Sequence, residues 1–268
     1  MSETSASADE LYRAGRLDEA IAAAGQAVRR APADLGARVL LAELLVFAGN
    51  FERADVLLDA AAAADPSAAV VIAEFRQLLR AEMARRQVWR DGRVPEFIGE
   101  PSPTQRTLLA ALVALCAGDA AGAMKLADEA EAQRPRAAGW HGDRRFDDWR
   151  DADDLCAGSI EVLTTTGKYF WIAAERIETM EFHPPRRPRD LAWRRASMVV
   201  SDGPEGEVYV PVLYSAGTTG LSDALRLGRA TEWLEDGPGP VRGMGQRTFM
   251  MDDEGLGIMQ LAGLRFAR

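Results

Sequence analysis

Cysteine and histidine are nearly missing from this chain: 268 residues hold only two of each. Cys116 and Cys156 lie forty residues apart with no second pair beside them. That spacing supports neither a zinc site nor a disulfide framework, and it fits a reducing cytoplasm with both thiols buried. Long apolar runs are missing as well. The apolar stretches are alanine-rich and broken by charges, so none is expected to span a bilayer. The opening MSETSASADELYRAGRLDEA lacks the basic start and apolar centre of a signal peptide. Positive charge is scarce and scattered. The net charge is −9, with 16 Lys and Arg against 20 Asp and Glu in residues 1–136, and 16 against 21 in residues 137–268. No basic face is large enough to neutralise a phosphate backbone, which argues against nucleic acid. The one basic run, PPRRPR at 184–189, reads as a solvated, proline-stiffened loop. There is no glycine-rich phosphate loop, no G-x-S-x-G and no nucleophile with a base, so no cofactor is expected.

What is present is a soluble composition, 47% hydrophobic and 27% charged, sufficient for one large domain or two ordinary ones. The first half repeats. Gly15, Ala20, Ala27 and Pro32 recur as Gly49, Ala54, Ala61 and Pro66, each 34 residues on, and Leu17 becomes Phe51. A third copy keeps the same internal spacing at Gly118, Ala123, Ala130 and Pro135. This is the period of a tetratricopeptide repeat. Glycine allows the turn between two antiparallel helices, the alanines let them approach, and proline ends the second helix. Between the copies, residues 70–92 read as one long helix with Ile72, Phe75, Leu79 and Met83 on an apolar stripe. RVPEFIGEPSP then reads as an irregular linker. Residues 1–136 are therefore expected to form TPR-like helical repeats, with a distorted unit and linker at 67–103.

In such arrays the concave face comes from the first helix of each pair. The register puts Tyr12, Arg13, Val39, Leu40, Glu43, Val46 and Phe47 there, followed by Leu108, Leu109 and Leu112. These are the candidate partner-binding residues. The face is more apolar than an idle surface should be. Either it receives the apolar stripe of a partner helix, or another part of this chain covers it.

After Gly139 the pattern changes to short β-branched and aromatic runs. Strands are expected near SIEVLTT, KYFWIA, IETMEF, ASMVVSD, EVYVPVL, QRTFMM and IMQLAGLRF. TTTGK, DGPEGE and DDEGLG serve as turns, and one short helix, SDALRLGRA, has Ser222 as its N-cap. Residues 137–268 are thus expected to form an antiparallel β-rich domain, a bent sheet or small barrel, making the whole chain α+β.

Residues 144–154, RRFDDWRDADD, are the one concentrated cluster of carboxylates. Counting from Asp147, Asp148 or Asp151, the glycine and glutamate of a calcium loop do not fall in place. His141 has no partner at ligand spacing, so no metal is expected. Two readings remain. In the first, Phe146 and Trp149 anchor in apolar pockets while the aspartates cap turns or pair with arginines. In the second, Asp147, Asp148, Asp151, Asp153 and His141 serve a metal-dependent hydrolase.

Four motifs then occur in order: Trp149-x-Asp151-x-Asp153, Gly167-x-Tyr169-x-Trp171, Pro188-x-Asp190-x-x-Trp193, and LGRATEW with Arg229 and Trp233. In this combination, and with RAEMARRQVWRDGRVPEFIGEP before the last repeat, the chain resembles the ImpE/TagJ-like proteins, also described as SciE-type virulence proteins. The likeness covers essentially the whole chain, although WHGDRRFDDW is more charged than the family pattern. These are accessory proteins of bacterial type VI secretion. The resemblance implies a cytoplasmic, non-enzymatic adaptor that binds the N-terminal helix of the small sheath subunit and is linked to sheath assembly or to recycling by the AAA+ disassembly ATPase. It carries no catalytic or metal residues. The motif residues named above are expected to be structural, with the aspartate loop clipping the repeats to the β domain. A general protein-binding scaffold is the other non-enzymatic reading.

Overall fold

A computed structural model describes residues 6–215, 220–234 and 237–267. Its first half pairs α1 (Ala8–Arg13) with α2 (Leu17–Arg30) and α3 (Leu35–Phe47) with α4 (Phe51–Ala64). One long helix follows, α5 (Ala69–Asp91), and then a third pair, α6 (Pro103–Cys116) with α7 (Ala120–Gln133). The helix starts are written in the sequence. Ser7 and Ser102 close capping boxes with Glu10 and Gln105, and Asp34, Asn50 and Asp119 accept a backbone N–H of the first turn. Gly15, Gly49 and Gly118 take φ of +78°, +67° and +84° at the turns within the pairs, a region that disfavours any Cβ. Ala20, Ala54 and Ala123 are fully buried where the helices touch. Gly92, with φ of +66°, ends α5.

The distorted repeat is this single 23-residue helix. Its buried stripe runs through Ile72, Phe75 and Leu79, then through Glu82, Arg85 and Trp89, while Met83 is only half-buried. The expected apolar stripe thus turns charged in its second half. The linker after it is used as an edge: Glu96 N–H donates to Tyr169 O at 3.1 Å and Glu96 O accepts from Trp171 N–H at 3.0 Å.

The second half contains β1 (Gly139–His141), β2 (Arg144–Phe146), β3 (Trp149–Asp151), β4 (Ser159–Leu163), β5 (Tyr169–Ala173), β6 (Ile177–Phe182), β7 (Trp193–Val200) and β8 (Glu205–Pro211). After the short helix α8 (Asp223–Arg226) come β9 (Thr231–Leu234), β10 (Arg242–Gly245), β11 (Thr248–Met251), β12 (Glu254–Gly257) and β13 (Gly263–Phe266). Eight strands form one sheet in the order β2-β1-β13-β6-β7-β8-β4-β5, with antiparallel neighbours. The sheet is open, not a closed barrel. β12-β11-β3 make a second, three-stranded sheet, and β9 pairs with β10 alone.

Thirteen strands therefore replace the expected seven among the described residues. The additional ones, such as RRF, WRD, TEWL, RGMG and EGLG, are three or four residues long and rich in charge or glycine. They carry too little alternation to be read locally. IMQLAGLRF divides into a 3-10 turn at Ile258–Gln260 and a strand from Gly263. Ser222 does cap α8, but that helix spans only four residues. Cys156 is buried, whereas Cys116 is exposed in the last turn of α6, with its thiol 3.4 Å from Trp89 O.

The two halves share one core. Its apolar side chains run from α1–α7 through Leu155, Leu163, Tyr169, Trp171, Trp193 and Leu227, while a second cluster around Trp149, Met180, Val210 and Phe249 lies within the β region.

Candidate functional site

Much of the concave face of the repeats is occupied by the chain itself. A short 3-10 helix, Pro188–Leu191, packs on α3. There the buried Arg189 lies 4.0 Å from the buried Glu43 and stacks over the Phe75 ring. α8 closes the other end: Leu17 N–H donates to Asp223 at 2.9 Å, and Arg226 pairs with Asp18. Arg229 donates to Tyr12 O and Arg13 O and lies over the Tyr12 ring. Tyr12, Val46 and Phe47 are consequently buried, Val39 and Leu40 half-buried, and Arg13 exposed in an ion pair with Asp9. Leu108 and Leu112 are buried and Leu109 half-buried. Gly158 packs against α6, where an added Cβ would meet Leu108 at 3.5 Å, an ordinary contact, and Thr104 at 2.5 Å, a clash.

Below this contact lies a network of buried charges. Arg85, on α5, donates to Glu161 of β4 through Nε (2.7 Å) and Nη2 (3.1 Å), to Glu82 (3.0 Å) and to Leu213 O (2.9 Å). Arg247 bonds Asp151 and Glu161 and donates to Pro211 O at 3.1 Å. Tyr169 donates to Glu161, Trp171 Nε1 donates to Tyr169 (2.5 Å), Trp89 Nε1 to Glu161 (2.7 Å), and Trp193 Nε1 to Glu82 (3.0 Å). Removing such charges from water is costly, and close pairing with hydrogen bonds offsets it. Burial alone would raise the Glu161 carboxyl, but Arg85 and Arg247 outweigh it and hold the group well below the usual range. At Asp151 burial prevails over Arg247 and pushes the pKa up to about 6.

The clustered aspartates divide among separate partners. Asp151 also accepts from Tyr214 O–H and Asp153 N–H, both at 2.9 Å. Asp153 accepts from Leu155 and Gly243 N–H, and Asp154 from Val241 N–H. Asp148 binds Arg134 at the end of α7 and accepts from Ala137 N–H, which joins the repeat array to β3. Asp147 is exposed beside Arg145. His141 Nε2 accepts from Ala262 N–H at 3.1 Å, and its strand pairs His141 with Arg144. Among the described residues no group of three His, Cys, Asp or Glu is placed to hold a metal. Phe146 and Trp149 are buried, with Trp149 stacked on Phe249 at 4.6 Å.

A concave region between the halves stays open. A cleft of about 540 Å³ runs between the α3–α5 side of the array and the β region. Phe47, Phe51, Trp89, Trp193 and Tyr214 form its floor, and Leu234, 47% exposed, stands at its edge. Arg86 lies over the Phe51 ring and donates to Gly49 O, and Arg242 lies over the Trp89 ring. The five floor side chains are each no more than 8% exposed and arginines stand on the walls, so the cleft presents a mixed polar and apolar surface.

Comparison with known proteins agrees with this architecture. The family described as ImpE protein matches residues 143–265, and a tetratricopeptide repeat family matches residues 11–74. A Pseudomonas aeruginosa protein named Type VI secretion system accessory component TagJ is 32% identical over 259 residues, covering 97% of this chain and 90% of that protein. The chain belongs to the ImpE/TagJ family. The crystal structure of VPA1032 from Vibrio parahaemolyticus is also similar, with a TM-score of 0.91, 27% identity and 97% of both chains covered.

Within this ImpE/TagJ chain several of the motif residues gather where the halves meet, while Trp149 and Asp153 lie within the β region. Tyr169, Trp171, Asp151 and Trp193 belong to the charge network, and Trp233 packs against Tyr214 at 5.8 Å. Asp190 accepts from Arg186 and Arg187 N–H and shapes the 3-10 helix. Arg85, Glu82, Glu161 and Arg247 were missed by sequence reasoning. The one local signal was Glu82 and Arg85 on the buried side of a helix that is otherwise apolar there.

Proposed function

We propose that this protein is a non-enzymatic cytoplasmic adaptor of a bacterial type VI secretion system. In this reading it binds the N-terminal helix of the small sheath subunit and links the sheath to assembly or to recycling by the AAA+ disassembly ATPase. The observation that carries the proposal is the near full-length likeness to the TagJ component. Further support comes from the cleft, whose mixed polar and apolar surface suits one face of an amphipathic helix. Of the residues first proposed for the partner, Val46 and Phe47 line this cleft, whereas Tyr12, Arg13, Val39, Leu40 and Glu43 do not. No described helix is long and apolar enough to cross a membrane. The aspartates' bonds to backbone amides and arginines favour the adaptor over a hydrolase, which needs carboxylates free to face substrate.

The purified protein should co-elute with the small sheath subunit of its own bacterium and fail to do so once that subunit's N-terminal helix is deleted. Co-elution that survives the deletion rejects the helix as the ligand.

A further inference from the structure

The basic run at 184–189 takes no part in the cleft. It borders a smaller pocket of about 210 Å³, together with Glu74 of α5, His183, Arg195 and Tyr209. Binding pockets for cofactor-sized ligands are larger, roughly 300–1,000 Å³, so this one suits a single small group. Arg189 stands at its back, 6% exposed, with no hydrogen-bond partner for Nε. Its nearest carboxylate, Glu43, is 4.0 Å away and also leaves Oε1 without a partner. Burial pushes Glu43 up to about 7, so near neutral pH it only partly balances the guanidinium. A buried N–H without a partner is costly unless something else satisfies it.

The other acids nearby are engaged. Glu74 accepts the Tyr209 hydroxyl at 2.5 Å, Asp190 accepts the Arg186 and Arg187 amides, and Glu207 pairs with Arg195 at 2.5 Å and with His183 at 3.4 Å. Arg186 and Arg187 are exposed at the mouth. In a chain of net charge −9, residues 186–195 hold five arginines against one aspartate. Beside them Val70 and Val71 are 82% and 49% exposed, and Val71 lines the pocket.

We propose that this pocket is an oxyanion site, with Arg189 at its back and Arg186 and Arg187 at its mouth, and that it takes a carboxylate from an acidic, partly apolar segment of a protein partner. Guanidinium groups favour a carboxylate in a desolvated setting. The adjoining valines give a polypeptide an apolar foothold that a free anion cannot use. The site lies roughly 12 Å from the cleft along α5, taking 1.5 Å per residue from Glu74 to Glu82. It does not depend on the sheath reading.

The test follows the arginine Nε–Hε signals by nuclear magnetic resonance, with the Arg189 signal assigned from Arg189→Gln. Hexaglutamate and inorganic phosphate are titrated separately against sodium chloride at matched ionic strength. Hexaglutamate should shift the Arg189 signal saturably and bind more tightly than phosphate. Arg186→Gln with Arg187→Gln, both exposed, should weaken it by about tenfold without changing the melting temperature. Tighter binding of phosphate overturns the polypeptide carboxylate as ligand. A shift no larger than that with chloride overturns the site altogether.

Discussion

Arg247→Met removes the cation that Asp151 and Glu161 share in the interior. Arg247 is 1% exposed, and its guanidinium bonds both carboxylates and Pro211 O. In the variant Glu161 retains Arg85, Tyr169 and Trp89, whereas Asp151 retains only the Tyr214 hydroxyl and the Asp153 amide. Breaking a buried pair by removing one partner costs about 3–5 kcal/mol. Total stability for a protein of this kind is about 5–15 kcal/mol, so the variant should still fold. The pH dependence has a definite sign. Asp151 already lies near 6, above its ordinary 3.8, and loss of Arg247 raises it further. A carboxyl that takes up its proton more readily when folded favours the folded state at low pH and loses that contribution as pH rises through its folded pKa. The deficit of the variant relative to wild type should therefore be largest at pH 8 and shrink towards pH 5. Urea unfolding followed by tryptophan fluorescence measures it, and adding Asp151→Asn should recover part of the loss at pH 8. A deficit below about 1 kcal/mol, or one independent of pH, would place these charges outside the forces that hold the halves together.

Three further outcomes are expected. Glu43 titrates near 7 when folded against an ordinary 4.5, so wild-type stability should decline between those values as pH rises. Glu43→Gln lacks that decline, and its stability relative to wild type should improve by about 3 kcal/mol from pH 4.5 to pH 8; a flat difference rejects the assignment. Ala54→Trp forces a large ring into the fully buried contact beside the Gly49 turn and should cost about 3 kcal/mol, read as a lower melting temperature. Phe47→Glu puts a carboxylate where the side chain is 0% exposed, so it should lower stability by roughly 3–5 kcal/mol even without a partner. An unchanged melting temperature would mean that the face is open.

The repeats were legible because their physics is local. A glycine, two alanines and a proline at fixed spacing specify a turn, a close approach and a stop, and Gly15, Gly49 and Gly118 occupy those turns. The hairpin turn at 164–168 and the turn at 201–204 carry equally local chemistry. The aspartate loop was legible in kind, since its residue types suit capping and pairing. The strands of three and four residues were not, because they are held by distant neighbours: β3 pairs with β11 and β1 with β13. The charge network left almost no trace. Glu161 reads as one polar residue in a strand and Arg247 as another, and the contacts joining Glu161 to Arg85 and Arg247 span 76 and 86 residues. How much of the repeat face stays open was equally hidden. It depends on where Pro188–Leu191 and Asp223–Arg226 fold back onto α1–α3, which no local pattern fixes.

The central claim is that a sheath-subunit helix docks in the cleft, and fluorescence anisotropy with a labelled peptide of that helix tests it most directly. Leu234→Glu is the informative variant, because the side chain is 47% exposed at the edge of the cleft and the change leaves the core alone. Covering the exposed half of such a side chain is worth roughly 0.7–1.5 kcal/mol, which is about three- to tenfold in affinity. The account predicts saturable binding to wild type, weakened by that factor in Leu234→Glu at an unchanged melting temperature. Peptide that binds both proteins equally, or neither, contradicts it.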